Sequence, residues 1–285
     1  MIKKMFCFVF ALFVFSFLAG CGDDGTTITP TATSTTTSFT AKINGTQEVP
    51  APTVTTTATG TGAFSLNAAK TELTFEITVT NLTGAITAAH IHNAAAGLTG
   101  IPVTTVNFTN NTASGAWKST DSAPLTAALV TELEAGRLYL NIHTAANGAG
   151  EIRGQITSIA SGSKGFTSKV KGDQEVPAVT TGAMGTGAFA LNAAKTELAF
   201  DITATGLSGP ITGAHIHNAA AGVNGGVVLV LSFTNNTASG TWKSTDATPF
   251  TADVVSKLEA GTLYVNIHTA ANPGGEIRGQ ILANP

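Results

Sequence analysis

The sequence predicts an all-β protein: two tandem antiparallel β-sandwich or barrel domains, with one short helix in each. Three observations carry this. Gly60–Ile156 aligns without gaps on Gly185–Ile281 at an offset of 125, and 69 of 97 positions are identical. Within each copy the apolar residues recur with period two, the signature of half-buried strands. The segments between them are rich in Gly, Asn and Thr, as turns between short strands require.

Taken in order, Phe64 and Leu66 mark one strand, and Asn67-Ala68-Ala69-Lys70 reads as the turn after it. Leu73, Phe75, Ile77 and Val79 alternate with Thr74, Glu76, Thr78 and Thr80. Leu138, Leu140 and Ile142 alternate with Tyr139, Asn141 and His143, and Ile152 and Ile156 with Glu151, Arg153 and Gln155. The helix is predicted over Thr126–Ala135, stopped by Gly136, and repeated over Thr251–Ala260 before Gly261. Trp117 and Trp242 stand in equivalent Ser-Gly-x-Trp-Lys stretches and read as core or hairpin packing.

The 285 residues carry 14 basic and 17 acidic side chains, a formal charge of −3, which argues against a nucleic-acid partner. Two cysteines are too few for a disulfide framework or a cysteine-based zinc site. Lys3 and Lys4 precede an apolar run, Met5–Leu18, of signal-peptide length. The run ends in Leu18-Ala19-Gly20-Cys21, which resembles the lipobox of bacterial lipoproteins. That resemblance implies cleavage after residue 20, acylation of Cys21 and a membrane as partner. The expected location is the cell envelope, with outer membrane, periplasmic face and cell surface all open. The domain reading is a signal peptide at 1–20, a Thr-rich tether at 21–38, domains at 39–156 and 166–282, and a flexible linker at 157–165.

All six histidines occupy equivalent places: Ala89-His90-Ile91-His92 and Tyr139-Leu140-Asn141-Ile142-His143 in the first copy, His215, His217 and His268 in the second. Residues two apart on a strand share a face, so His90 and His92 project together while Ile91 enters the core. His143 lies on the polar face of its own strand, and all three are expected on the solvent side. Such a set suits copper or zinc, one ion per domain. The open alternative is that the histidines cap loops or decorate a sheet. Two of the chain's three arginines, Arg153 and Arg278, follow shortly after. Each could steer an anion toward a metal or form a structural pair with Glu151 or Glu276 on an exposed strand. Glu48 and Glu175, each before Val-Pro, could add a carboxylate ligand or serve a strand-edge turn.

Gln-Glu-Val-Pro, Ala-His-Ile-His, Asn-Ile-His-Thr and Gly-Glu-Ile-Arg-Gly-Gln-Ile together resemble the CHRD domain, in both copies. The resemblance implies an all-β, immunoglobulin-like or related sandwich and no particular reaction. The spacing of His-x-His, a later strand histidine and an arginine is also similar to the copper half of Cu/Zn superoxide dismutases. Carried over, it implies a superoxide-dismutase-like fold as the alternative, with copper ligands at His90, His92 and His143 and Arg153 as guide, and at His215, His217 and His268 with Arg278. The chain lacks that family's further copper and zinc histidines and its disulfide cysteines. Three functions follow: a lipid-anchored envelope protein that binds metal and an undefined protein or small ligand; a dismutase-like copper enzyme; or a structural or adhesive surface module without metal. No catalytic residue is assigned.

Overall fold

The computed structural model describes residues Thr36–Asn284. The signal segment, Cys21 and most of the tether lie outside the described residues. The first repeat runs β1 (Thr37–Asn44), β2 (Thr59–Leu66), β3 (Glu72–Thr80), β4 (Ile86–Asn93), β5 (Ile101–Thr105), β6 (Thr112–Lys118), α1 (Ala127–Glu134), β7 (Leu138–Thr144) and β8 (Ile152–Ser158). The second runs β9 (Lys164–Lys171), β10 (Met184–Leu191), β11 (Glu197–Thr205), β12 (Ile211–Asn218), β13 (Gly226–Val230), β14 (Thr237–Lys243), α2 (Ala252–Glu259), β15 (Leu263–Thr269) and β16 (Ile277–Ala283).

Each repeat is one antiparallel sheet in the order β5-β4-β7-β8-β1-β2-β3-β6, which the second copy repeats as β13-β12-β15-β16-β9-β10-β11-β14. The sheet curls into a barrel-like shell around its own core. In the first repeat that core holds Phe39, Ile43, Leu73, Ile77, Ile91, Trp117, Leu140 and Ile152, and no residue of one core belongs to the other. The edge strands β5 and β6 face one another across a cleft lined by Thr104, Thr105 and Ser114–Trp117. Trp117 is buried and its Nε1 donates to the Ala123 carbonyl at 2.6 Å. The Asn67 turn closes with Lys70 in the left-handed region, φ 57°.

Both helices lie where the sequence places them. Thr126 Oγ1 accepts from Leu129 N at 3.2 Å and Thr251 Oγ1 from Val254 N at 3.3 Å, each satisfying one of the free N–H groups of a first turn. Gly136 and Gly261, at φ 67° and 68°, end them in the conformation that glycine tolerates best. Val130 and Leu133 turn inward to the core.

Two expectations are corrected. The face of β7 opposite the core is largely covered: Tyr139 and Asn141 are buried, and His143 is half-buried. The loops at 45–56, 94–100 and 145–150 close over it, giving each repeat a second, polar interior. The nine residues 157–165 are not all linker either. Thr157 and Ser158 extend β8, and Lys164 and Gly165 begin β9, so Ile159–Ser163 make the whole connection. Ile159 N is itself tied to the Ser38 carbonyl at 3.1 Å.

Candidate metal centre

β4 and β7 are neighbours, so the Ala-His-Ile-His and Asn-Ile-His-Thr segments meet. Ala88 pairs with His143, His90 with Asn141 and His92 with Tyr139. One register shift precedes the histidine pair, at Ile86/Ala88 against β7, and another falls within it, at Ile91/His92 against β5. Such bulges re-aim side chains relative to a regular pleat. His90, His92 and His143 thereby converge, with one ring nitrogen of each within 4.8 Å of the others. His215, His217 and His268 do the same in the second repeat.

The rings are held by their far nitrogens. His92 Nδ1 donates to the Gly100 carbonyl at 2.8 Å, and His143 Nδ1 to the Gly148 carbonyl at 3.1 Å. This fixes the tautomer and leaves each Nε2 with a free lone pair, as in metal-ligating histidines anchored by a carbonyl. Both Nε2 atoms are buried and have no hydrogen-bond partner. Burial also pushes the His92 and His143 imidazoles below their usual range, with only partial compensation from the carbonyl bonds. Neutral rings with inward lone pairs form a donor set for a soft or borderline cation.

The second copy repeats this with one difference. His217 Nδ1 donates to the Gly225 carbonyl at 2.9 Å and His268 Nδ1 to the Pro273 carbonyl at 3.0 Å. Because His268 Nδ1 is the donor, its Nε2 accepts from His215 Nδ1, at 3.2 Å. Gly213 stands where the first copy has Ala88. A Cβ at Gly213 would make ordinary contact with the His215 ring, at 3.5 Å, so the lack of one does not account for the closer approach of that ring to His268. The ring centroids are 5.1 Å apart, against 5.4 Å for His90 and His143.

The arginines stand elsewhere than an anion guide requires. Arg153 is 1% exposed, and its guanidinium lies 3.4 Å above the Tyr139 ring centroid. It donates to the carbonyls of Leu98 and Ala95, at 2.7 and 3.2 Å. Arg278 is buried likewise, 3.7 Å above Tyr264, and bonds Asn224 Oδ1 and the Val223 carbonyl. Both arginines fasten the loop that supplies the Gly100 or Gly225 carbonyl. The alternative Glu–Arg pair is not formed. Glu151 is fully buried and takes four bonds, from Thr56 Oγ1, Thr83 N, Thr83 Oγ1 and Thr144 Oγ1, at 2.7, 2.8, 2.6 and 2.6 Å. Burial raises the Glu151 carboxyl, but those donors outweigh it and hold it below the ordinary value.

Tyr139 was not singled out by its sequence position. It stacks on His92, ring centroids 4.9 Å apart and 18° from parallel, and its hydroxyl accepts from Gly100 N at 3.1 Å. Tyr264 and His217 repeat the stack at 5.0 Å and 12°. The signal was present: the chain has only two tyrosines, one per copy, at equivalent positions. Glu48, the candidate carboxylate ligand, is buried beside Asn141 rather than grouped with the histidines. A Cβ on Gly150 would lie 2.6 Å from Asn141 Oδ1 and 2.7 Å from Glu48 Oε2, so both oxygens converge there. Glu48 Oε1 and Asn141 Oδ1 have no hydrogen-bond partner. Burial pushes the Glu48 carboxyl up to about 7 against the opposing pull of Arg153.

No curated protein and no solved structure matches the chain. The family model for the CHRD domain matches it twice, over residues 39–156 and 166–281. Those spans hold both histidine clusters and nearly all the described strands, and this chain therefore belongs to the CHRD-domain family.

Proposed function

We propose that this chain is a metal-binding protein of the cell envelope that takes one copper or zinc ion in each CHRD domain. His90, His92 and His143 are the ligands in the first, and His215, His217 and His268 in the second. The observation that carries this is the pair of buried, unpartnered Nε2 atoms of His92 and His143, whose other nitrogens are tied to carbonyls. Leaving a buried nitrogen unsatisfied costs about 1–3 kcal/mol, which a bound cation removes. A metal about 2.0–2.1 Å from each nitrogen asks only that the rings draw together. Three nitrogen ligands leave a position for water or a small ligand. Binding is favoured over dismutation because Arg153 and Arg278 are buried and engaged with backbone carbonyls and Asn224. Lipid anchoring through Cys21 rests on the apolar run and the Leu-Ala-Gly-Cys sequence.

Copper and zinc titration of the chain from Thr36 onward, read by elemental analysis and copper EPR, tests the metal. The expected stoichiometry is two ions per chain, falling to one in His90→Ala/His92→Ala/His143→Ala. Equal metal content in the two proteins overturns the first-domain site. Labelling cells with a radioactive fatty acid tests the anchor, and incorporation that persists in Cys21→Ala counts against it.

A further inference from the structure

β2 and β3 of the first repeat pack on β10 and β11 of the second, and the contact is built of reciprocal pairs. Thr61 Oγ1 meets Thr203 Oγ1 at 2.8 Å, and Thr78 Oγ1 meets Thr186 Oγ1 at 2.8 Å. At the offset of 125, Thr186 is the counterpart of Thr61 and Thr203 that of Thr78. Lys42 reaches Asp201 at 3.5 Å and Ser239 at 3.1 Å. Its counterpart Lys169 reaches Glu76 at 2.9 Å and Ser114 at 2.8 Å, the counterparts of Asp201 and Ser239. Asn111 Nδ2 donates to Thr205 Oγ1 and Asn236 Nδ2 to Thr80 Oγ1, both at 3.4 Å. Every one of these contacts has a mate with the roles of the repeats exchanged. That is the definition of an isologous interface, which two identical surfaces form with one another.

We propose that the outer face of β2–β3, and equally of β10–β11, is a self-recognition surface whose partner is a second copy of the same repeat. The tandem chain is then a dimer closed on itself by its linker. The chemistry suits identity. A hydroxyl both donates and accepts, so threonine satisfies threonine. Each face carries one Lys and one Glu or Asp in complementary places, so it is charge-matched to its own image. Thr78 and Thr203 are fully buried, and Thr61 and Thr186 nearly so, which makes them the centre of the contact. Contacts with no mate are peripheral, such as Asn81 Nδ2 to the Asn235 carbonyl, where Gly206 replaces the asparagine. Each half keeps a complete sheet and core, so no strand needs to be shared across the interface.

The full chain, with a protease site placed between Ser161 and Gly162, is cleaved and mixed with isotope-labelled cleaved chain. The sample is incubated, with mild urea if required, until labelled and unlabelled halves have exchanged, and is then read by native mass spectrometry. Three pairs are expected: first with second, first with first, and second with second. Exchange that yields only mixed first–second pairs, or free halves alone, overturns the proposal. Thr78→Arg in the same chain is expected to abolish every pair containing the first repeat while second–second pairs persist. Survival of the first–second pair in that variant also overturns it. Unchanged far-UV circular dichroism shows that the variant is folded.

Discussion

Tyr139 lies flat against His92, with ring centroids 4.9 Å apart, and carries Arg153 on its opposite face at 3.4 Å. One tyrosine thus orients a candidate ligand in two ways: by stacking, and by holding Gly100, whose carbonyl anchors His92 Nδ1. Groups behind metal ligands are typically worth 10–100-fold in affinity. Tyr139→Phe keeps the ring and loses the Gly100 bond, so its loss falls toward the lower figure. Tyr139→Ala removes both supports and falls toward the higher. Competition with a chromogenic chelator measures it, and the second site serves as an internal control.

The two sites should fill in order. In the second, a cation must break the His215–His268 bond before it can use His268 Nε2, whereas His143 Nε2 is unpartnered. A neutral hydrogen bond contributes about 0.5–1.5 kcal/mol net, so the first site is expected to bind tighter by up to about tenfold. Calorimetric titration of the two single-site chains checks both statements.

Acid should release the metal only below the usual imidazole range. Burial lowers the His92, His143, His215 and His217 pKa values, so protons compete at lower pH than for exposed rings. The sign for the metal-free fold follows. The unfolded chain takes up protons near pH 6.5 while the folded chain resists them, so these residues contribute stability above that pH. It is lost as the pH falls through the folded values. Metal content against pH, with melting temperatures of the metal-free protein, checks both.

Glu151 should be irreplaceable even by its amide. Four donors converge on two oxygens; in Glu151→Gln the Thr83 and Thr144 hydroxyls can turn to accept from the new NH2 group, but every bond loses the carboxylate charge that strengthened it. A hydrogen bond to a charged group contributes about 1.5–3 kcal/mol, against about 0.5–1.5 for a neutral one. At about 2–4 °C per kcal/mol for a chain of this size, Glu151→Gln lowers the melting temperature by several degrees. Glu276→Gln does the same in the second repeat.

What the sequence discloses and what it hides divide along contact range. Leu73 to Val79 declares its strand by alternation alone, and Thr126 with Gly136 brackets its helix, because both signals are local. The histidine triad is legible because His-x-His and His143 each need only a strand, and neighbouring strands do the rest. The burial of Tyr139 is not legible. It depends on Arg153 reaching back to Leu98 and Ala95, more than fifty residues away, and on Gly100 closing over the ring. The same closure turns Arg153 from an exposed group into an interior one. Glu151 finds Thr56 and Thr83 across comparable distances, so its local neighbour Arg153 was the wrong partner to expect.

Glu48 should make the fold less stable as the pH rises. Burial lifts its carboxyl to about 7, whereas in the unfolded chain it ionises near 4.5. A raised folded value contributes stability that is complete below pH 4.5 and is lost as the pH climbs through 7. The groups around it are the Arg153 guanidinium, which opposes the shift, and Asn141 Oδ1, which offers no donor. Glu48→Gln cannot ionise, so the melting temperature of the variant relative to the parent rises between pH 4.5 and 7 and is level on either side. Glu175→Gln repeats this through the same cause, and the double variant shows the sum. Gly150→Ala is the steric counterpart. It places a methyl against Glu48 and Asn141 at a residue with φ 139°, and costs about 1–3 kcal/mol at every pH. A Glu48→Gln difference that does not change with pH would show that the carboxyl is already ionised in the folded protein.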